Sequence, residues 1–137
     1  VTTARFAIEA APEDVFEYLL DRRNLVTANH RKPIVEQSEP PTVTGSWAII
    51  ALDQLRARID YQDVVAPTRV VAKVAASGRG SRGLAHIQAY ELRGSGRGPT
   101  IVALEATSDR ASLATRLLWP FLWRSVRRRM AKATSGR

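Results

Sequence analysis

Leu113-Ala114-Thr115-Arg116-Leu117-Leu118-Trp119-Pro120-Phe121-Leu122-Trp123-Arg124-Ser125-Val126-Arg127-Arg128-Arg129-Met130 reads as the body of one long helix, and the architecture follows from it. Leu113, Leu117 and Phe121, with Leu118, Leu122 and Val126, recur at three- and four-residue spacing and predict a broad apolar face. The pattern extends over residues 111–133, with Asp109 placed to cap it. At about 1.5 Å per residue such a helix is roughly 35 Å long. Pro120 falls inside it. Proline removes one backbone hydrogen bond and crowds the preceding turn, so a kink is expected there.

Upstream the period changes. Ala4 to Glu9 alternates, with Phe6 and Ile8 on one face, and predicts a strand. Pro12 then opens a short helix, since a missing N–H costs nothing at the first helical position. Glu13 and Asp14 suit the positive end of its dipole, and Val15, Phe16, Leu19 and Leu20 form its apolar stripe. Residues 21–33 are polar and irregular, with room for one helical turn. Strands follow at Ile34–Gln37, Ser46–Leu55, Arg56–Val65, Arg69–Ala75, Leu84–Leu92 and Thr100–Ser108. In the third of these, Arg56, Arg58, Asp60 and Gln62 alternate with Ala57, Ile59 and Tyr61, a wet face and a dry one. Glu39-Pro40-Pro41, Ala66-Pro67-Thr68, Gly78–Gly83 and Gly94–Gly98 punctuate them. The order is strand, helix, about six strands, long helix. Such a sheet must bury one face against the late helix. The expected fold is therefore α+β: a curved antiparallel sheet of about six to seven strands wrapped on a long kinked C-terminal helix, one domain over residues 1–137. A hollow between sheet and helix is a natural ligand site.

Composition narrows the function. With 137 residues and 45% apolar side chains, the chain has material for one real core. It contains no cysteine, which excludes disulfides, thiolate nucleophiles and Cys-ligated metal. No signal-peptide pattern or membrane-length apolar run is present, so a cytoplasmic location is the expectation, with peripheral membrane contact as a variant. The formal charge of +8 is unevenly placed. Residues 1–109 carry 13 basic and 13 acidic side chains, whereas residues 110–137 carry eight basic ones and no acid. A neutral body with one basic segment points to a local electrostatic feature and disfavours nucleic acid.

Several phrases together resemble the START-like superfamily (the SRPBCC group), which includes polyketide cyclase/dehydrase and lipid-transfer-like proteins. They are Phe6-Ala7-Ile8-Glu9-Ala10-Ala11-Pro12-Glu13-Asp14-Val15-Phe16, Gly45 before a long strand, Ile59 to Val65 followed by Pro67-Thr68-Arg69-Val70, Tyr90-Glu91-Leu92 before a glycine loop and Thr100-Ile101-Val102, and the Pro-interrupted helix from Leu117 to Met130. The resemblance spans nearly the whole chain. It implies a helix-grip fold with a cavity between sheet and C-terminal helix. The chain departs from the pattern at Asn29-His30-Arg31, where members often carry Trp, and at Gly98-Pro99-Thr100, where members often carry Gly-Gly-Thr. No catalytic residue is carried over.

Tests for specific chemistry mostly fail. Gly78-Arg79-Gly80-Ser81-Arg82-Gly83 matches a dinucleotide fingerprint, but a strand-like run follows it where a helix N-terminus is needed. His30 and His86 have no metal-ligand spacing. Asp60 and Asp63, at even and odd strand positions, should point apart. No metal or cofactor is expected. His86, Gln88 and Tyr90 share a strand face with Leu92 and offer polar groups to an apolar hollow, unless that face is solvated and Ala85, Ile87 and Ala89 form the core. Trp119, Phe121 and Trp123 precede the arginine run, either as core packing or as a membrane-facing patch.

The leading expectation is a protein that binds or carries a small apolar molecule such as a lipid, isoprenoid or polyketide. Its cavity wall would comprise Ile59, Tyr61, Val70, Val74, His86, Gln88, Tyr90 and Val102, with Leu117 and Phe121 from the helix. Trp123, Arg124, Arg127 and Arg128 would contact an anionic membrane. The alternatives are a cyclase/dehydratase-type enzyme and an interaction module acting through the basic helix. The residues leave oligomeric state open.

Overall fold

A computed structural model describes residues 1–26, 32–78, 85–94, 98–108 and 113–135. The elements in chain order are β1 (Thr2–Ile8), α1 (Pro12–Leu20), a 3-10 turn (Arg22–Leu25), β2 (Ile34–Gln37), β3 (Trp47–Leu52), β4 (Leu55–Val65), β5 (Arg69–Gly78), β6 (Ala85–Arg93), β7 (Thr100–Ser108) and α2 (Leu113–Thr134). The expected cap Asp109, the glycine-rich residues 79–83, the hairpin residues 95–97 and Asn29-His30-Arg31 lie outside the described residues.

The strands form one seven-stranded antiparallel sheet in the order β1-β7-β6-β5-β4-β3-β2. Each strand after β2 pairs with its predecessor, and β1 closes onto β7. Register explains the core. Phe6 sits opposite Val102, Leu92 opposite Val102, Tyr90 opposite Leu104 and Val70. Ile59 sits opposite Val74 and Ala48. All of these are buried, so one inner face runs unbroken from β1 to β3, while β2 at the far edge is exposed. A bulge between Tyr61 and Asp63 shifts the alternation in β4. Asp60 then pairs with Lys73 and Asp63 with Val71, so both carboxylates share the outer face instead of pointing apart. Each is held by an arginine, Arg58 at 3.1 Å and Arg69 at 2.9 Å.

Two devices fix the ends of the inner face. The Thr100 hydroxyl donates to the Ala10 carbonyl at 2.7 Å, tying the start of β7 to the entrance of α1. Gly98 has φ 96°, and a Cβ there would stand 2.6 Å from the Ala10 oxygen, so glycine is required. At the other side, buried Arg22 donates to the Ser46 hydroxyl at 2.7 Å and stacks 4.6 Å above the Tyr61 ring. The Tyr61 hydroxyl donates to the Leu19 carbonyl at 2.8 Å, so this cluster locks α1 and the 3-10 turn onto β4.

The long helix is continuous through Pro120 and packs on β1 and α1. It turns toward the body Trp119, Trp123, Val126 and Met130, not the expected Leu117–Phe121 stripe. The reason is chemical. The helix is apolar all round between Leu117 and Trp123, so spacing does not select a face. The two indoles bring the most area, and each finds a specific seat. Trp119 Nε1 donates to the Thr3 carbonyl at 2.9 Å. Trp123 stacks on Phe6, with centroids 6.1 Å apart and rings 8° from parallel.

Candidate functional site: a polar relay on the inner sheet face

Alternation along β6 puts His86, Gln88, Tyr90 and Leu92 on the inner face, opposite Val74, Ala72 and Val70 of β5 and Ser108, Ala106, Leu104 and Val102 of β7. Toward Leu92 this face is closed, since Tyr90, Leu92, Leu104, Val70 and Val102 are buried. Toward His86 it opens, because Ala76, His86, Gln88, Ala106 and Ser108 are each only half-buried. Leu25 and Val26, at the end of the 3-10 turn, flank the opening, through the Leu25 carbonyl's bond to Gln88.

The polar groups form a chain. The Tyr90 hydroxyl donates to Gln88 Oε1 at 2.8 Å. Gln88 Nε2 donates to the Leu25 carbonyl at 3.2 Å and lies 2.8 Å from His86 Nε2. The Leu25 carbonyl only accepts, so it fixes which end of the amide is nitrogen. An amide nitrogen only donates, so His86 Nε2 must be the bare acceptor and the proton sits on Nδ1. Burial also lowers the His86 pKa, which keeps the ring neutral near pH 7. His86 Nδ1–H has no hydrogen-bond partner among the described residues.

Tyr18 of α1 and Arg129 of α2 act electrostatically on the Tyr90 end of the relay. Burial pushes the Tyr90 hydroxyl well above the usual phenol range, with Tyr18 raising it further and Arg129 opposing. Burial likewise raises Tyr18, against the pull of Arg129. Both phenols therefore stay protonated, and Tyr90 serves as a donor. Arg129 Nε is buried without a hydrogen-bond partner. The arrangement can orient an oxygen atom of a ligand through neutral donors. Among the described residues no group of His, Asp or Glu is arranged to hold a metal ion.

The expected wall residues separate into three groups. His86, Gln88 and Tyr90 come together, with Val74 beside His86. Ile59, Tyr61, Val70 and Val102 lie on the same face but are packed into the closed core, and the Tyr61 hydroxyl is already spent on Leu19. Leu117 and Phe121 point outward, 67% and 68% exposed. Of the expected anion contacts, Arg124, Arg127 and Arg128 are exposed, whereas Trp123 is half-buried on Phe6 with Arg124 over its ring at 5.3 Å. Tyr18, Leu25 and Arg129 were not singled out by the sequence. A depression of about 580 Å³ also lies on the outer face, lined by Arg5, Arg69, Glu91, Glu105 and small residues, on the side away from the relay.

No family model matches the chain, and no curated protein matches it. Solved structures do. DynU16, a protein of the dynemicin biosynthetic locus, superposes with a TM-score of 0.69 at 16% identity over 96% of this chain and 45% of that one. This chain thus spans under half the length of DynU16. Mll3558 from Rhizobium loti gives 0.67 at 16% identity over 96% and 94% of the two chains. Ara h 8.0201 gives 0.70 at 10% identity over 99% and 97%. At such identities the likeness speaks for the fold alone, and it agrees with the sheet order and late helix described above: the chain has the helix-grip fold.

Proposed function

We propose that the chain binds a small, largely apolar molecule at the open end of the inner sheet face, and that His86 and Gln88 orient an oxygen atom on it. The observation that carries this reading is the His86 Nδ1–H. The relay holds it as a donor without a partner among the described residues, between Val74 of β5 and Ser108 of β7. An oriented donor on a largely apolar wall gives a ligand direction at small cost in desolvation. Tyr90 and Gln88 saturate one another and serve to hold the ring. Binding is favoured over a cyclase or dehydratase reaction because the one basic nitrogen of the relay, His86 Nε2, is already occupied by the Gln88 amide.

The test is native mass spectrometry of gently purified protein, followed by titration with lipids, isoprenoids, aromatic ketones and products of biosynthetic loci. A stoichiometric apolar passenger is expected. His86→Ala should weaken oxygen-bearing ligands by about tenfold, the worth of one good hydrogen bond, and leave hydrocarbon analogues unchanged. Equal loss for both, or no uptake of any class, would overturn the reading.

A further inference from the structure

We propose that the outward face of α2 is a docking surface for an anionic lipid bilayer. Leu117, Leu118, Phe121 and Leu122 expose 67%, 53%, 68% and 47% of their surface. Together they make an apolar patch on the order of a few hundred Å², the size that marks a contact surface on a monomer. The same stripe then changes character. Leu117, Phe121, Arg124 and Arg128 follow one another at four-, three- and four-residue steps, and Arg124, Arg127, Arg128 and Lys132 are all exposed. The four cations form no ion pair among the described residues. The helix thus presents an apolar half and a cationic half side by side, the arrangement of a helix lying in the plane of a bilayer surface. Trp119 and Trp123 lie on the opposite side and hold the helix to β1, so the leucines and Phe121 enter the lipid and the tryptophans do not.

Charge selects this occupant over others. A second copy would pair this face with itself, and residues 110–137 contain eight cations and no acid to meet them. The patch is also well below the roughly 800 Å² per partner of a stable protein interface. Nucleic acid would use the arginines but gains nothing from four exposed apolar side chains. An anionic bilayer uses both halves.

The experiment is co-flotation of the full chain with phosphatidylcholine vesicles, with and without phosphatidylglycerol, at low and high salt. Binding is expected only to the anionic vesicles and should fall as salt rises. Removing two arginines in Arg124→Gln/Arg128→Gln should weaken it at least tenfold, at about fivefold per cation. Leu117→Ser/Phe121→Ser should weaken it to a similar degree, and both pairs should keep the wild-type circular dichroism because all four side chains are exposed. No flotation with anionic vesicles would overturn the proposal, as would flotation that neither pair reduces. Concentration-dependent dimerisation lost in Leu117→Ser/Phe121→Ser, or retention on duplex DNA, either of them without vesicle binding, would overturn it in favour of a second copy or of nucleic acid.

Discussion

A single proton on His86 decides the state of the relay. With Nε2 facing the Gln88 amide nitrogen at 2.8 Å, protonation would set two donors against each other. Burial lowers the folded-state pKa below the ordinary value of 6.5. The sign follows from linkage. The unfolded chain binds this proton more readily, so the contribution of neutral His86 is complete above about pH 6.5 and is lost as pH falls below it. Thermal unfolding followed from pH 7.5 down to about 5 should show this loss, and His86→Asn should flatten that part of the profile. An unchanged slope in His86→Asn would remove the residue from the acid response. Tyr61 makes a complementary case. Tyr61→Phe leaves the buried Leu19 carbonyl unpaired and should cost about 1–3 kcal/mol in denaturant melts. Alternation was enough to place His86, Gln88 and Tyr90 together, because period-two spacing assigns all three to the side of Leu92 whenever the strand exists. Their partners were not legible. The Leu25 carbonyl reaches the relay from another element, and Tyr18 and Arg129 act on it electrostatically from two more; nothing in local spacing encodes such meetings.

The seven strands and two helices were readable at the level of elements because each carries its own period and its own punctuation. Pro12, Pro67 and the glycine clusters mark ends that the structure keeps within a few residues. Two element-level features escaped. The bulge after Tyr61 inserts a residue that sequence alternation counts as ordinary, and it brings Asp60 and Asp63 to one face. The rotation of α2 escaped because leucines surround the helix over residues 117–122, and only seats on other elements, the Thr3 carbonyl and the Phe6 ring, choose among them. The rotation yields a sharp contrast for mutagenesis. Met130 is fully buried at 0%, so Met130→Ala should cost about 2–5 kcal/mol. Phe121→Ala removes a larger side chain from the same helix but should change stability by no more than about 0.5 kcal/mol. Chemical denaturation of both variants checks the rotation directly. A large loss at Phe121 with little at Met130 would mean the helix seats on its other side.

At the scale of the molecule, the two proposed sites differ in position and in the force each would use. The relay opens on the inner face, where apolar burial and one hydrogen bond would do the recognising. The cations sit on the outside of α2, where recognition is electrostatic. Salt distinguishes these forces, because at about 1 M the screening length falls to roughly 3 Å while apolar burial is untouched or strengthened. A ligand that binds only the folded chain stabilises it by about 2.7 kcal/mol when present at a hundred times its dissociation constant. For a domain of this size that corresponds to a rise in Tm of several degrees, at roughly 3–5 °C per kcal/mol. The ligand-dependent rise in Tm should therefore survive high salt and fall to about half in His86→Ala for an oxygen-bearing ligand, while vesicle flotation should fall sharply in high salt and survive in His86→Ala. Differential scanning calorimetry and flotation on the same four samples measure both. If one variant or one salt condition removed both signals together, the two surfaces would be a single site, with the ligand held between the leucines of α2 and the relay. If the signals separate, α2 brings the chain to the bilayer and the inner face receives what the bilayer dissolves.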